Sequence, residues 1–119
     1  MRALIVDDDE TSCQLLAKVF RRDGIEVDWS ADSVVGYDKA CHYPYDLFIL
    51  DVRMPGLSGT DLAAGIKKVS PNAKIVLISA FADEALQKTA TCLGVTVLSK
   101  PFTLKHLLEV TADLVCPSS

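Results

Sequence analysis

Short runs rich in apolar residues alternate along the chain with longer segments whose apolar residues recur every three or four positions. The short runs have the length of β-strands and lie at 3–6, 25–30, 47–50, 74–78 and 95–98. The periodic segments predict helices at 11–22, 32–42, 60–69, 83–93 and 104–114. Residues that end helices stand after four of these segments: Gly24, Pro44, Pro71 and Gly94.

The alternation of strands and helices predicts an α/β doubly wound protein, in which helices cover both faces of one parallel sheet. The runs at 47–50 and 75–78 are apolar throughout, as expected of strands buried on both faces. The length of 119 residues favours a single domain over 1–119, and no output domain is visible. We expect Tyr43 and Tyr45 to cover the sheet. The inward side chains of the third helix should be Leu62, Ala63, Ile66 and Val69.

Charge and hydropathy argue against several classes of protein. Sixteen acidic and twelve basic residues give a net charge of −4, and the basic residues are scattered, so direct nucleic-acid binding is not expected. No apolar run approaches the ~20 residues of a membrane span. Acidic residues follow the first strand at once, so we do not expect this segment to be a signal peptide. We therefore expect a cytoplasmic protein. The cysteines at 13, 41, 92 and 116 lack zinc-binding spacing, and Cys13 should be a reduced thiol in the core.

Polar residues stand at the ends of four of the five predicted strands. They are Asp7 and Asp8, Asp51, Ser79 and Lys100. Because parallel strands end at one edge of a sheet, these side chains should lie together. Three close carboxylates repel one another, and a few carboxylates with open positions suit Mg²⁺. Each residue alone is common in turns and caps, but their joint placement predicts phosphoryl transfer to a carboxylate, assisted by a lysine and a hydroxyl.

Four segments around these residues resemble the signature of receiver domains in two-component response regulators. They are 6–9, 44–59, 78–80 and 99–102, and the resemblance covers the whole chain. It implies a flavodoxin-like fold with strand order 2-1-3-4-5. It also implies a signalling switch, phosphorylated by a sensor histidine kinase or phosphotransfer protein and read by a downstream output domain or protein. Such a switch is not a conventional enzyme, since its chemistry is limited to self-phosphorylation and autodephosphorylation.

The resemblance further implies the roles of the residues at the predicted site. Asp51 corresponds to the phosphoacceptor, and Ser79 and Lys100 to the groups that contact the phosphoryl oxygens. The implied Mg²⁺ ligands are Asp7, Asp8, Asp51 and the backbone carbonyl of Arg53, with Asp8 bound directly and Asp7 mainly through water. The bond between Lys100 and Pro101 should be cis.

One region departs from the receiver pattern. The span from Ser79 to Lys100 is one residue shorter than the family's usual spacing, and the shortage lies before the fifth strand. Val97 stands at the position usually held by an aromatic residue that responds to phosphorylation. Val97 is β-branched and much smaller than tyrosine. The predicted site therefore has all of its usual residues, whereas the aromatic side chain that usually transmits its signal is replaced by valine.

Two other functions fit parts of the same pattern. The segment 7–11 fits the D-x-D-x-T motif of haloacid-dehalogenase-like phosphatases, with Asp7 as nucleophile and Asp9 as acid. Ser79 and Lys100 fit that family's other motifs, but the acidic pair that should bind its metal does not follow Lys100. The second alternative is a pseudo-receiver, a binding module that takes no phosphate. It would usually lack an acidic residue or the lysine, and all are present here.

Overall fold

The computed structural model of the protein describes residues 1–115, which form five strands and five helices in strict alternation. The strands are β1 (Arg2–Val6), β2 (Glu26–Ser30), β3 (Leu47–Asp51), β4 (Lys74–Ser79) and β5 (Thr96–Ser99). The helices are α1 (Glu10–Arg22), α2 (Ser33–His42), α3 (Gly59–Val69), α4 (Glu84–Leu93) and α5 (Leu104–Val115). All ten predicted elements are present, and their bounds agree with the prediction to within one residue.

The strands form one parallel sheet in the order β2-β1-β3-β4-β5, which confirms the predicted flavodoxin-like topology. From β1 the chain moves outward to β2 and then returns past β1 to β3, from where it continues to the opposite edge. The strand order therefore reverses between β1 and β3. In an open α/β sheet of this kind, ligands bind beyond the carboxyl ends of the strands at this reversal point.

Alternate side chains of β1, β3, β4 and β5 enter two hydrophobic cores on opposite faces of the sheet, whereas β2 contributes to one core only. Ile5 and Ile49 pack on the face that is covered by α1 and α5, together with buried Phe20 and Leu107. Their chain neighbours pack on the other face, against α2, α3 and α4. Val97 of β5 is half-buried against this second core. Burial on both faces makes the central strands rigid supports for the loops that follow them.

Two side chains that were predicted to be buried are exposed in the structure. Val69 is 53% exposed, because it ends α3 and is followed by an exposed loop, although its helical phase is that of the inward residues. Tyr43 is exposed as well, so only one of the two tyrosines covers the sheet. Tyr45 is buried, and its hydroxyl donates a hydrogen bond of 2.6 Å to the carboxylate of Asp28.

The cysteines agree with the prediction where the structure describes them. Cys13 is fully buried in α1, whereas Cys41 and Cys92 are exposed free thiols. Cys116 lies outside the described residues. Among residues 1–115, no helix is both long and apolar enough to cross a membrane.

Candidate phosphorylation site

The carboxyl edge of the sheet brings together the residues predicted from the strand ends. Asp7 and Asp51 each directly follow a residue of the β1–β3 ladder. Ser79 ends β4, one residue beyond the partner of Asp51 in the neighbouring strand. Lys100 follows β5, and its backbone N–H donates to the carbonyl oxygen of Ser79 at 2.8 Å. The register of the sheet therefore assembles the site from residues that are up to 93 positions apart in the chain.

Three carboxylates form a compact cluster at this edge. One oxygen each of Asp7, Asp8 and Asp51 lies within 4.8 Å of the others. Asp7 and Asp51 are buried, at 5% and 9% exposure, whereas Asp8 is exposed and opens the cluster to solvent. Mg²⁺ prefers a small number of carboxylate oxygens and keeps water on its open side. The residues present therefore fit this ion.

Burial strongly affects the pKa of the Asp7 carboxyl group. Loss of contact with water raises the pKa of its carboxyl group from 3.8 to about 6, and the neighbouring Asp51 acts in the same direction. The backbone N–H of Asp9, which donates to Asp7 Oδ1 at 3.0 Å, and the ammonium of Lys100 oppose the rise in pKa. Burial thus disfavours the charged form of Asp7, and a nearby cation would stabilise that form.

Two further polar residues of the site stand at the carboxyl ends of β4 and β5. Lys100 Nζ lies 4.0 Å from Asp51 Oδ2, and the peptide bond between Lys100 and Pro101 is cis, as expected. Ser79 is 3% exposed, and its Oγ accepts a hydrogen bond of 3.1 Å from the backbone N–H of Phe81. Because Oγ serves as the acceptor in this bond, the hydroxyl proton of Ser79 is free to be donated to another group.

Asp9 does not belong to the cluster, although it follows Asp8 directly. It is the N-cap of α1, and its carboxylate accepts hydrogen bonds from the Thr11 N–H and the Ser12 hydroxyl, both at 3.0 Å. A carboxylate committed to a helix cap is badly placed to act as the acid of a phosphatase. The structure therefore separates Asp9 from the other three acidic residues of the site.

Gly59 is a residue of the site to which the sequence analysis gave no role beyond its place at the end of the segment 44–59. It begins α3, and its N–H donates to the carbonyl oxygen of Val52 at 3.0 Å. A Cβ atom on Gly59 would clash with the carbonyl of Asp51 and would lie 2.9 Å from Val52 Cα. The backbone of α3 thus rests directly on the residue at the centre of the cluster, a contact between segments that no local pattern signals.

We expect Gly59→Ala to lower the free energy of unfolding by about 2–3 kcal/mol, because the added methyl group meets backbone that cannot move aside. Gly65→Ala is the matched control in the same helix. There the new Cβ would meet the ring of Tyr37, at 2.7 Å from Cε1, and a side chain can turn away. Gly65→Ala should change the free energy of unfolding by no more than about 1 kcal/mol, since alanine also favours the helix more than glycine does. Urea unfolding of the two variants compares them, and equal losses would contradict the close approach at Gly59.

Comparison with known proteins agrees with this geometry. The model of the response regulator receiver domain family matches residues 3–112. The chain is 31% identical over 109 residues to the response regulator receiver protein CpdR of Brucella abortus, covering 91% of each. It is 34% identical over 118 residues to the chemotaxis protein CheY of Treponema pallidum, covering 96% of this chain and 82% of that protein.

A solved structure shows the same fold. A chain in the crystal structure of the CheX–CheY–BeF₃–Mg²⁺ complex from Borrelia burgdorferi matches with a TM-score of 0.87 at 29% identity. The match covers 96% of this chain and 88% of that one.

The chain belongs to the receiver domains of response regulators. It is a CheY-like phosphoacceptor switch of two-component signalling, as the resemblance in its sequence implied. The phosphatase and pseudo-receiver alternatives are not favoured. Asp9 caps a helix, and the acidic residues, the lysine and the hydroxyl are all assembled at one edge.

Proposed function

We propose that Asp51 accepts the phosphoryl group and that Asp7, Asp8, Asp51 and the backbone carbonyl of Arg53 hold Mg²⁺ beside it. The observation that carries this proposal is the joint geometry of the carboxylates and the lysine. Three carboxylate oxygens lie within 4.8 Å of one another, and Lys100 Nζ lies 4.0 Å from Asp51.

Asp51 is favoured as the nucleophile over the other two acidic residues by its surroundings. Its Oδ1 accepts the backbone N–H of Arg53 at 3.2 Å, which orients the carboxylate, and its Oδ2 faces Lys100. Asp7 is held by the N–H of Asp9, and Asp8 lies at the exposed rim. Asp51 therefore combines a fixed orientation with an oxygen directed toward the group that would neutralise an incoming phosphate.

In the proposed transfer, Asp51 Oδ2 forms a bond to phosphorus while the bond between phosphorus and the donor's leaving atom breaks. The electron pair of the broken bond stays with the donor, which is a phosphohistidine imidazole or a small acyl phosphate. The Lys100 ammonium neutralises one phosphoryl oxygen, and the Ser79 hydroxyl donates a hydrogen bond to another. Bound Mg²⁺ supplies further neutralisation of charge on the phosphoryl oxygens.

The proposed phosphate donor is a sensor histidine kinase or phosphotransfer protein in the cytoplasm, and the proposed reader is a downstream output domain or protein. The protein's own chemistry would be limited to self-phosphorylation and autodephosphorylation. Incubation with acetyl phosphate, with and without Mg²⁺, tests the proposal directly. We expect a metal-dependent acyl phosphate and no turnover of a generic phosphate ester. Turnover of the ester without trapped acyl phosphate would overturn it.

Replacement of Lys100 should affect transfer far more than stability. We expect Lys100→Met to slow phosphorylation by acetyl phosphate on the order of 100-fold, because it removes a preorganised cation from the phosphoryl oxygens. The free energy of unfolding without Mg²⁺ should change by less than about 1 kcal/mol, since the Lys100 side chain is 40% exposed and its charge is partly solvated.

Lys105→Met provides a charge-matched control, because Lys105 is exposed on α5. Its phosphorylation rate should equal that of the wild type. A loss of ~3 kcal/mol or more in Lys100→Met, from urea unfolding without Mg²⁺, would mean instead that Lys100 serves mainly to hold the fold.

A further inference from the structure

Ser33 is a buried polar residue that the proposed transfer does not use. It is the first residue of α2 and is 4% exposed. The cap of this helix is supplied by its neighbour Asp32, whose carboxylate accepts the Val35 N–H at 2.9 Å. The Ser33 hydroxyl therefore has no part in capping α2 and bonds elsewhere.

The partners of Ser33 lie in the loop that follows Asp51, which we call the Asp51 loop (Val52–Ser58). Ser33 Oγ donates to the carbonyl oxygen of Pro55 at 3.0 Å and accepts the backbone N–H of Leu57, also at 3.0 Å. These partners are 22 and 24 residues away in the chain. One hydroxyl thus satisfies both a donor and an acceptor in the middle of a loop from another part of the fold.

The ends of the Asp51 loop are held by backbone bonds. The Val52 N–H donates to the carbonyl of Ile78 in β4 at 2.9 Å, and the Gly59 N–H donates back to Val52 at 3.0 Å. Between these ends, Gly56 has a φ of +83°, which allows the loop to turn beside Ser33. A Cβ atom on Gly56 would lie 3.0 Å from Ser33 Oγ, so the turn and the hydroxyl fit closely.

We propose that Ser33 is a positioning residue for the metal site. Its hydroxyl holds the Asp51 loop in one conformation before Mg²⁺ binds, and so fixes the backbone around Arg53. The inference rests on the proposed function, in which the Arg53 carbonyl is a metal ligand. Arg53 lies only two residues before Pro55, between the backbone bonds at Val52 and the bonds to Ser33. A ligand carried on a fixed backbone loses less conformational freedom when the ion binds.

Ser33→Ala tests the inference, with Ser30→Ala as its matched control. Ser30 is also a buried serine near the start of α2, and its hydroxyl also makes two hydrogen bonds. Both of these bonds are to Asp32, at 2.8 and 3.2 Å, and neither reaches the Asp51 loop. Each variant therefore removes two hydrogen bonds between a buried serine hydroxyl and the backbone, but only Ser33→Ala removes bonds to the Asp51 loop.

Titration with Mg²⁺ alone, by calorimetry, should show about tenfold weaker binding for Ser33→Ala than for Ser30→Ala, the low end of the effect of losing an outer-shell partner. The exchange rate of the Leu57 amide hydrogen should rise in Ser33→Ala and stay unchanged in Ser30→Ala. Equal Mg²⁺ affinities for the two variants would overturn the inference, while an absence of Mg²⁺ binding by the wild type would overturn the proposed function itself.

The wild-type protein decides the matter if Ser33→Ala does not fold. The inference expects the Leu57 amide to be protected from exchange without Mg²⁺, because Ser33 already orders the loop. Protection that appears only when Mg²⁺ is added would mean that the ion orders the loop, and the role of Ser33 would be refuted.

Discussion

Asp51→Asn should reduce Mg²⁺-dependent labelling by acetyl phosphate to background, whereas Asp9→Asn should be labelled like the wild type. An amide oxygen is too weak a nucleophile to attack phosphorus, so the loss at Asp51 should be complete. Asparagine has nearly the same size and shape as aspartate, and the contacts around the site should therefore survive. The label is located by mass spectrometry of the trapped acyl phosphate.

Asp9→Asn is the matched control, because it makes the same chemical change two residues from Asp7. Asparagine is as good an N-cap as aspartate, so α1 should keep its cap. Equal labelling of Asp51→Asn would refute the assignment of the phosphoacceptor. Loss of labelling in Asp9→Asn alone would instead favour the phosphatase mechanism, in which Asp9 is the acid.

The metal-free protein should lose stability as the pH rises from about 4 to 6, and Asp7→Asn should remove that loss. The pKa of Asp7 is 3.8 as the ordinary value and about 6 in the folded protein, mainly because of burial. Between these values the folded state binds more protons than the unfolded state, so stability falls as the pH rises through this window. At neutral pH, Asp7→Asn should be more stable than the wild type by on the order of 3 kcal/mol, which corresponds to the rise in the Asp7 pKa from 3.8 to about 6.

Urea unfolding of both proteins across this pH window, without Mg²⁺, measures the effect. Asp8→Asn removes a charge from the exposed rim of the same cluster and should keep the wild-type pH dependence. Saturating Mg²⁺ should reverse the trend, because the ion binds the deprotonated carboxylates. Below about pH 6, Mg²⁺ affinity should therefore fall about tenfold per pH unit as a proton competes for Asp7. Identical pH dependence of the wild type and Asp7→Asn would contradict the raised pKa.

The order of the elements and the placement of the candidate site residues at one edge of the sheet could be predicted from the sequence alone. The helical period and the strand-length apolar runs are local properties, and the turn and stop residues between them separate one element from the next. The position of reactive residues directly after strands is also a local property. Because parallel strands end at one edge of a sheet, this position is enough to predict that Asp7, Asp51, Ser79 and Lys100 lie at the same edge, although they are far apart in the chain.

The helix ends were predictable for a similar reason. The residues that cap and stop helices act within one turn of the helix, so the ends of a helix can be predicted from residues that are adjacent in the sequence. Asp83 caps α4 through the Leu86 N–H, and Gly94 ends that helix in the left-handed conformation, as their sequence positions indicated.

Only the tertiary structure decided which surfaces and side chains meet between elements. Val69 has the helical phase of a core residue but lies at an end that the fold leaves in solvent. The clash that excludes a side chain at Gly59 and the bonds of Ser33 to the Asp51 loop join segments that different elements carry. The raised pKa of Asp7 depends on how completely its neighbours exclude water. Such contacts depend on the distances between whole elements. The periodicity of a single element therefore does not predict them.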